Sequence, residues 1–170
     1  LYQRGHKLIT QGSLNDIFVP QNGVQEIQES FANILYNLMK NVTFRRGLRD
    51  WTFGKQPTEI IVSYLKLCKE FHKEKKDFDR DQNKYSRTFE WFIGELLRRE
   101  FGGQASGFNI HLEDANKDDE FDSVALLDEG LFYAECKTGK GTLAQAVKKF
   151  VRRDKQLCAK YSLFIFDREY

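Results

Sequence analysis

The sequence predicts an α/β fold: a helical N-terminal region, then an αβββαβ core in which a mixed sheet lies between helices. Three observations carry this. Apolar residues recur with a helical period up to about residue 100, in strand-like runs from Phe108 to Lys137, and with a helical period again before a last apolar run. The almost wholly charged stretch Lys73 to Lys84 (KEKKDFDRDQNK) separates a mainly helical region, residues 1–85, from the core, residues 86–170. A chain of 170 residues, 41% hydrophobic and with 15 Phe and 7 Tyr, has enough apolar surface for a real core, which excludes wholesale disorder.

Each element has its own signal. Residues 1–22 are polar with short apolar touches (Leu8-Ile9, Ile17-Phe18-Val19) before Pro20, which fits turns and short edge strands. Val24, Ile27, Phe31, Ile34, Leu35 and Leu38 share one helical face, giving a helix from Val24 to Met39. A second helix is predicted from Pro57, suited to a first turn, through Ile61, Tyr64, Leu65 and Cys68 to Phe71. Ser86 offers an N-cap to a third helix with Phe89, Ile93, Leu96 and Leu97 inward, ending near Gly102-Gly103. Strands follow at Phe108–Leu112, Phe121–Leu127 and Leu131–Lys137, the last two joined by the short turn Asp128-Glu129-Gly130. Leu143, Val147, Phe150 and Val151 then mark one face of a fourth helix, and Tyr161–Phe166 reads as a buried strand.

Charge and cysteine usage bound the function classes. Lys and Arg (27) nearly balance Asp and Glu (25), so the net charge of +2 does not by itself indicate a polyanionic partner. No window approaches about 18 uninterrupted apolar residues, and no secretory signal opens the chain, so a cytoplasmic, intracellular protein with no membrane partner is expected. The odd set Cys68, Cys136 and Cys158 fits thiols in a reducing compartment. Cys68 and His72 have a permissible metal spacing but no second pair, so no structural zinc is expected. The chain begins at Leu1, which fits a fragment of a longer protein.

The residues that carry chemistry are Asp122, near the start of one strand, and Glu135 and Lys137, near the end of its partner. Strand residues two apart share a face, so Glu135 and Lys137 project together, and the hairpin brings Asp122 to the same end of the sheet. Two carboxylates and the backbone carbonyl of Cys136 are hard oxygen donors of the kind Mg²⁺ or Mn²⁺ takes, and a lysine beside the cation can orient or deprotonate a water. This is the donor set of a metal-dependent phosphodiester hydrolase. Glu-x-Lys alone is common on solvated strand faces; its weight here comes from closing an apolar strand, following Asp122, and preceding the Thr138-Gly139-Lys140-Gly141 loop.

On the residues Phe121-Asp122, Glu135-Cys136-Lys137-Thr138 and Phe89-Glu90-Trp91, the segment from Ser86 to Phe166 resembles the PD-(D/E)XK, or restriction-endonuclease-like, nuclease superfamily. The resemblance implies metal binding by Asp122 and Glu135, water activation by Lys137, and a helix carboxylate, Glu90, joining the site. Phe121 stands where the pattern has Pro. Within the superfamily the hairpin spacing is most similar to nuclease domains of CRISPR ancillary effectors, which couple such a domain to a cyclic-oligoadenylate sensor; the sensor would have to lie outside this chain. Glu90 has support of its own, since Ile93 and Leu97 place it at the edge of the buried helix face, whereas Glu95 groups with Arg98 and Arg99.

Two charged segments complete the reading. The acidic run Glu113 to Glu120 reads as a solvated loop that repels itself, with Asp114 the one member worth testing. On the fourth helix Lys148, Lys149, Arg152 and Arg153, with Gln145 before them, fit backbone contacts to DNA or RNA, although a basic helix face is as often merely solvated. Arg45, Arg46 and Arg49 beside Trp51 form a second candidate patch. The readings that stay open are a divalent-metal-dependent nuclease, a catalytically silent nucleic-acid-binding or assembly module of the same fold, and a structural domain with solvated acidic strand ends. Pairing as a homodimer fits the first.

Overall fold

A computed structural model of the chain describes residues 8–12, 25–71, 82–113, 120–128, 130–139 and 142–167. The expectations for Ile17–Val19, His72, Asp114, Lys140-Gly141 and most of the charged stretch lie outside the described residues. The chain divides into two units, Ser13–Thr88 and Leu1–Gly12 with Phe89–Tyr170. Among the described residues, no helix is long and apolar enough to cross a membrane.

The unit Ser13–Thr88 holds helices α1 (Gln25–Lys40), α2 (Val42–Thr52) and α3 (Glu59–Phe71) and the first turns of α4 (Gln82–Glu100). Phe31, Leu35 and Met39 of α1, four residues apart, are all buried, with Tyr36 beside them. The ring of Tyr64 stacks on Phe31 at 6.4 Å and meets Phe44 edge-on at 5.1 Å. Burial pushes the Cys68 thiol up to about 12, so it packs as a small hydrophobe.

Helix α2 is an element beyond those the periodicity predicted. Asn41 starts it, its Oδ1 accepting the N–H groups of Thr43 at 2.8 Å and Phe44 at 3.2 Å. Its inward residues Phe44, Leu48 and Trp51 follow the helical period, with Gly47 letting α3 approach: a Cβ at Gly47 would meet Ile61 Cγ1 at 2.9 Å. The basic patch read here is corrected. Arg45 Nη1 donates to the carbonyls of Met39 at 2.6 Å and Lys40 at 3.2 Å, satisfying the end of α1, and Arg49 and Trp51 are buried; only Arg46 of the three arginines is exposed.

The second unit is the predicted αβββαβ core. α4 begins at Gln82 rather than Ser86, because Tyr85, 1% exposed, already belongs to its inward face. Strands β1 (Leu8–Thr10), β2 (Ala105–Leu112), β3 (Glu120–Leu127), β4 (Gly130–Lys137) and β5 (Tyr161–Phe166) form one sheet in that spatial order. The first four pair antiparallel, and β5 lies parallel to β4 after the crossover helix α5 (Leu143–Leu157). Residues Ile110, Leu112, Phe121, Val124, Leu131, Tyr133 and Leu157 make the core cluster, with Phe150 stacked on Tyr133 at 5.7 Å.

The inward face of α5 differs from the predicted one. Leu143, Val147 and Val151 are 49%, 41% and 44% exposed, while Arg153 and Leu157 are buried and Phe150 is half-buried. Phe150, Arg153 and Leu157 stand at i, i+3 and i+7, so the true inward stripe has the right period but carries a charge in its middle.

Candidate functional site

The site lies where β3 begins and β4 ends. The β2–β3 ladder pairs Phe108 with Ser123 and Ile110 with Phe121, which leaves Asn109, at a left-handed φ of 48°, opposite Asp122. The β3–β4 pairing runs from Leu127 and Gly130 to Ser123 and Ala134. Beyond it the backbone N–H of Cys136 donates to Asp122 Oδ2 at 2.8 Å, so a side chain takes over from the ladder and fixes Asp122. From the helix side, Ser123 Oγ donates to the Glu90 carbonyl oxygen at 2.5 Å, tying α4 to β3. Glu90 is 7% exposed, at the edge of the helix face where the spacing predicts it.

Two groups of charges meet at Asp122. Carboxylate oxygens of Glu90, Glu120 and Asp122 lie within 4.8 Å of one another, with Glu90 and Asp122 buried and Glu120 half-buried. Three hard oxygen donors this close fit a small divalent cation such as Mg²⁺ or Mn²⁺. On the other side, Glu135 is fully buried and held by three groups: Arg153 Nη1 at 2.6 Å and the Tyr133 hydroxyl on Oε2, and Lys137 Nζ at 2.5 Å on Oε1. The same two cations reach Asp122, Arg153 Nη1 at 3.3 Å from Oδ1 and Lys137 Nζ at 3.5 Å from Oδ2. Asp122 and Glu135 are thus bridged twice by positive charge.

Proton affinities follow from this arrangement. Burial, then the Glu135 charge, pushes the Asp122 carboxyl up to about 6 against the pull of Lys137 and Arg153. Burial acts on Glu135 in the same direction, but Arg153 and Lys137 outweigh it and hold Glu135 below the usual carboxylate range. Lys137 is raised: its burial works the other way and is overcome by Asp122 and Glu135, so the amine stays protonated.

The remaining predicted residues separate into two sets. Gln145, Lys148 and Arg152 are exposed and Lys149 half-buried on α5, and Thr142 Oγ1 donates to Gln145 Oε1 at 2.9 Å. Arg153 does not belong with them. It is 1% exposed and spent on Asp122 and Glu135, so it faces the acidic centre and not a phosphate backbone. Of the two carboxylates expected at a metal, Asp122 is in the close oxygen cluster and Glu135 faces Arg153, Lys137 and Tyr133, while the N–H of Cys136 between Glu135 and Lys137 donates to Asp122. Glu95 pairs with Arg98 and Arg99, both at 2.7 Å.

Glu120 and Tyr133 were not anticipated. Glu120 closes the acidic run in sequence, yet it stands two residues before Asp122 on β3, the same i, i+2 relation that links Glu135 to Lys137. That spacing was the available signal.

Comparison with known proteins bears on the fold. The chain is similar to protein VC1899 from Vibrio cholerae, with a TM-score of 0.50 and 12% sequence identity over 97% of this chain and 50% of that one. The chain therefore spans about half the length of that protein. At this identity the likeness concerns the fold. No protein-family model and no curated protein matches the chain.

Proposed function

We propose that this chain is a divalent-metal-dependent nuclease of the restriction-endonuclease-like kind, hydrolysing phosphodiester bonds of DNA or RNA. The observation that carries the reading is the placement of the Glu90, Glu120 and Asp122 oxygens, within 4.8 Å of one another, beside the Glu135–Lys137 pair at the end of an αβββαβ sheet. A bound Mg²⁺ or Mn²⁺ supplies charge neutralisation at the phosphate and acidifies a water. The chain's own residues do the rest. Glu90, Glu120 and Asp122 hold the cation, and Glu135 anchors Lys137, whose raised proton affinity makes it a hydrogen-bond donor to the attacking water and to a phosphate oxygen. The exposed Lys148, Arg152 and Gln145 of α5 offer backbone contacts to the nucleic acid, where sequence-independent charge sets affinity.

The test is cleavage of linear and circular DNA and of RNA with Mg²⁺, with Mn²⁺ and with excess chelator. Metal-dependent cleavage is expected, reduced at least about 100-fold in Asp122→Asn, Glu120→Gln and Lys137→Met, since each removes an electrostatic partner of the transition state. Cleavage that survives in chelator, or in all three folded variants, overturns the reading.

A further inference from the structure

We infer that Arg153 is a built-in counter-cation that holds this centre to one divalent ion per chain. The inference rests on the metal-dependent reading above and specifies the occupancy of that site. The centre brings together four carboxylates, Glu90, Glu120, Asp122 and Glu135, and two side-chain cations, Lys137 and Arg153.

The geometry says where that ion cannot be joined by another. Two-metal phosphodiesterases place their ions about 4 Å apart, bridged by shared carboxylates. Here the gap between Asp122 Oδ1 and Glu135 Oε2 is already spanned by Arg153 Nη1, at 3.3 Å and 2.6 Å. Arg153 is 1% exposed, and its guanidinium lies 5.8 Å from the centre of the Phe121 ring. A metal ion entering between these carboxylates would have to expel a buried guanidinium and leave it uncompensated, which is strongly unfavourable. Lys137 is different: 30% of its side chain is exposed, so the amine that Glu135 anchors also reaches solvent. Arg153 is therefore a positioning residue. It holds Glu135 and Asp122 at a fixed spacing and leaves Lys137 as the cation of the pair that reaches solvent.

The experiment counts metal directly. The purified chain is equilibrated with Mn²⁺, bound ion is measured by dialysis, and its electron paramagnetic resonance spectrum is recorded. The expected result is one Mn²⁺ per chain with an uncoupled signal. Arg153→Gln, checked as folded by circular dichroism, should bind two at saturation and show spin coupling between neighbouring ions, and Arg153→Lys should return the count to one. Two ions in the parent, or a single ion in folded Arg153→Gln, would overturn the role given to Arg153 while leaving the nuclease reading standing. No bound Mn²⁺ at all would overturn both. Should Arg153→Gln not fold, the parent's count decides.

Discussion

Replacing Asp122 by Asn tests the electrostatics of the acidic centre through stability and without any substrate. The Asp122 carboxyl, pushed from its ordinary value of 3.8 up to about 6 chiefly by burial, binds its proton more tightly in the folded protein than in the unfolded chain. The folded state therefore holds more protons across that interval, and stability falls as pH rises through it. At about 1.36 kcal/mol per pH unit, the span from 3.8 to about 6 makes a loss of about 3 kcal/mol. Glu135, lowered, works in the opposite sense, but only below its ordinary 4.5, where its stabilisation is lost as pH falls. Over about pH 4.5 to 6.5 the contribution of Asp122 therefore falls, and Asp122→Asn removes that contribution. Urea unfolding in chelator, followed by circular dichroism at half-unit pH steps, should show the parent's midpoint dropping by about 1 M across the window, given a slope of about 2 kcal/mol per M. Asp122→Asn, which keeps an oxygen for the Cys136 N–H, should not show this drop. Parallel pH curves for the two proteins would refute the account.

Two further outcomes are expected. Changing Lys148 and Arg152 to Gln together should weaken nucleic-acid binding across sequences and reduce the log-affinity versus log-salt slope by about 1.8 for duplex DNA, or about 1.4 for a single strand; parallel salt titrations would remove this face of α5 from the binding surface. Leu157→Ala, at the fully buried last residue of α5, should cost about 2–5 kcal/mol in urea unfolding, and a loss below about 1 kcal/mol would mean that α5 is not packed as described.

The order of elements was legible because hydrophobic period reports burial, and burial is what the chain must solve first. The three main strands and the hairpin at Asp128 fall where the apolar runs place them. The reading failed where charge does the work of an apolar residue. On α5, Arg153 sits in the inward stripe between Phe150 and Leu157, so the uninterrupted apolar row Leu143, Val147 and Val151 looked like the buried face and is in fact exposed. α2 was hidden in the same way, its three arginines drawing attention from Phe44, Leu48 and Trp51. At the site, Asp122, Glu135 and Lys137 were readable from spacing along strands, whereas the closeness of Arg153 to them depends on how a helix docks 18 residues later in the chain, which no local pattern encodes. Glu120 was readable in principle, but membership of an acidic run masked its place on β3.

The arginine clamp also sets an order in time. During synthesis the β3–β4 hairpin leaves the ribosome with Asp122, Glu135 and Lys137 before Arg153 does, and β4 has only its antiparallel neighbour until β5 follows. Hairpins close in microseconds, while translation proceeds at about 5–20 residues per second, so the nascent hairpin waits about a second or more for its second counter-charge, Arg153. Over that interval Lys137, on the same hairpin, is the cation paired with the two acids, and this charged end of β4 keeps its open edge hydrated and discourages it from recruiting a foreign strand. The charge pattern that serves the finished centre thus also guards the unfinished sheet: docking of α5 brings Arg153 to the acids, and β5, next along the chain, closes the edge.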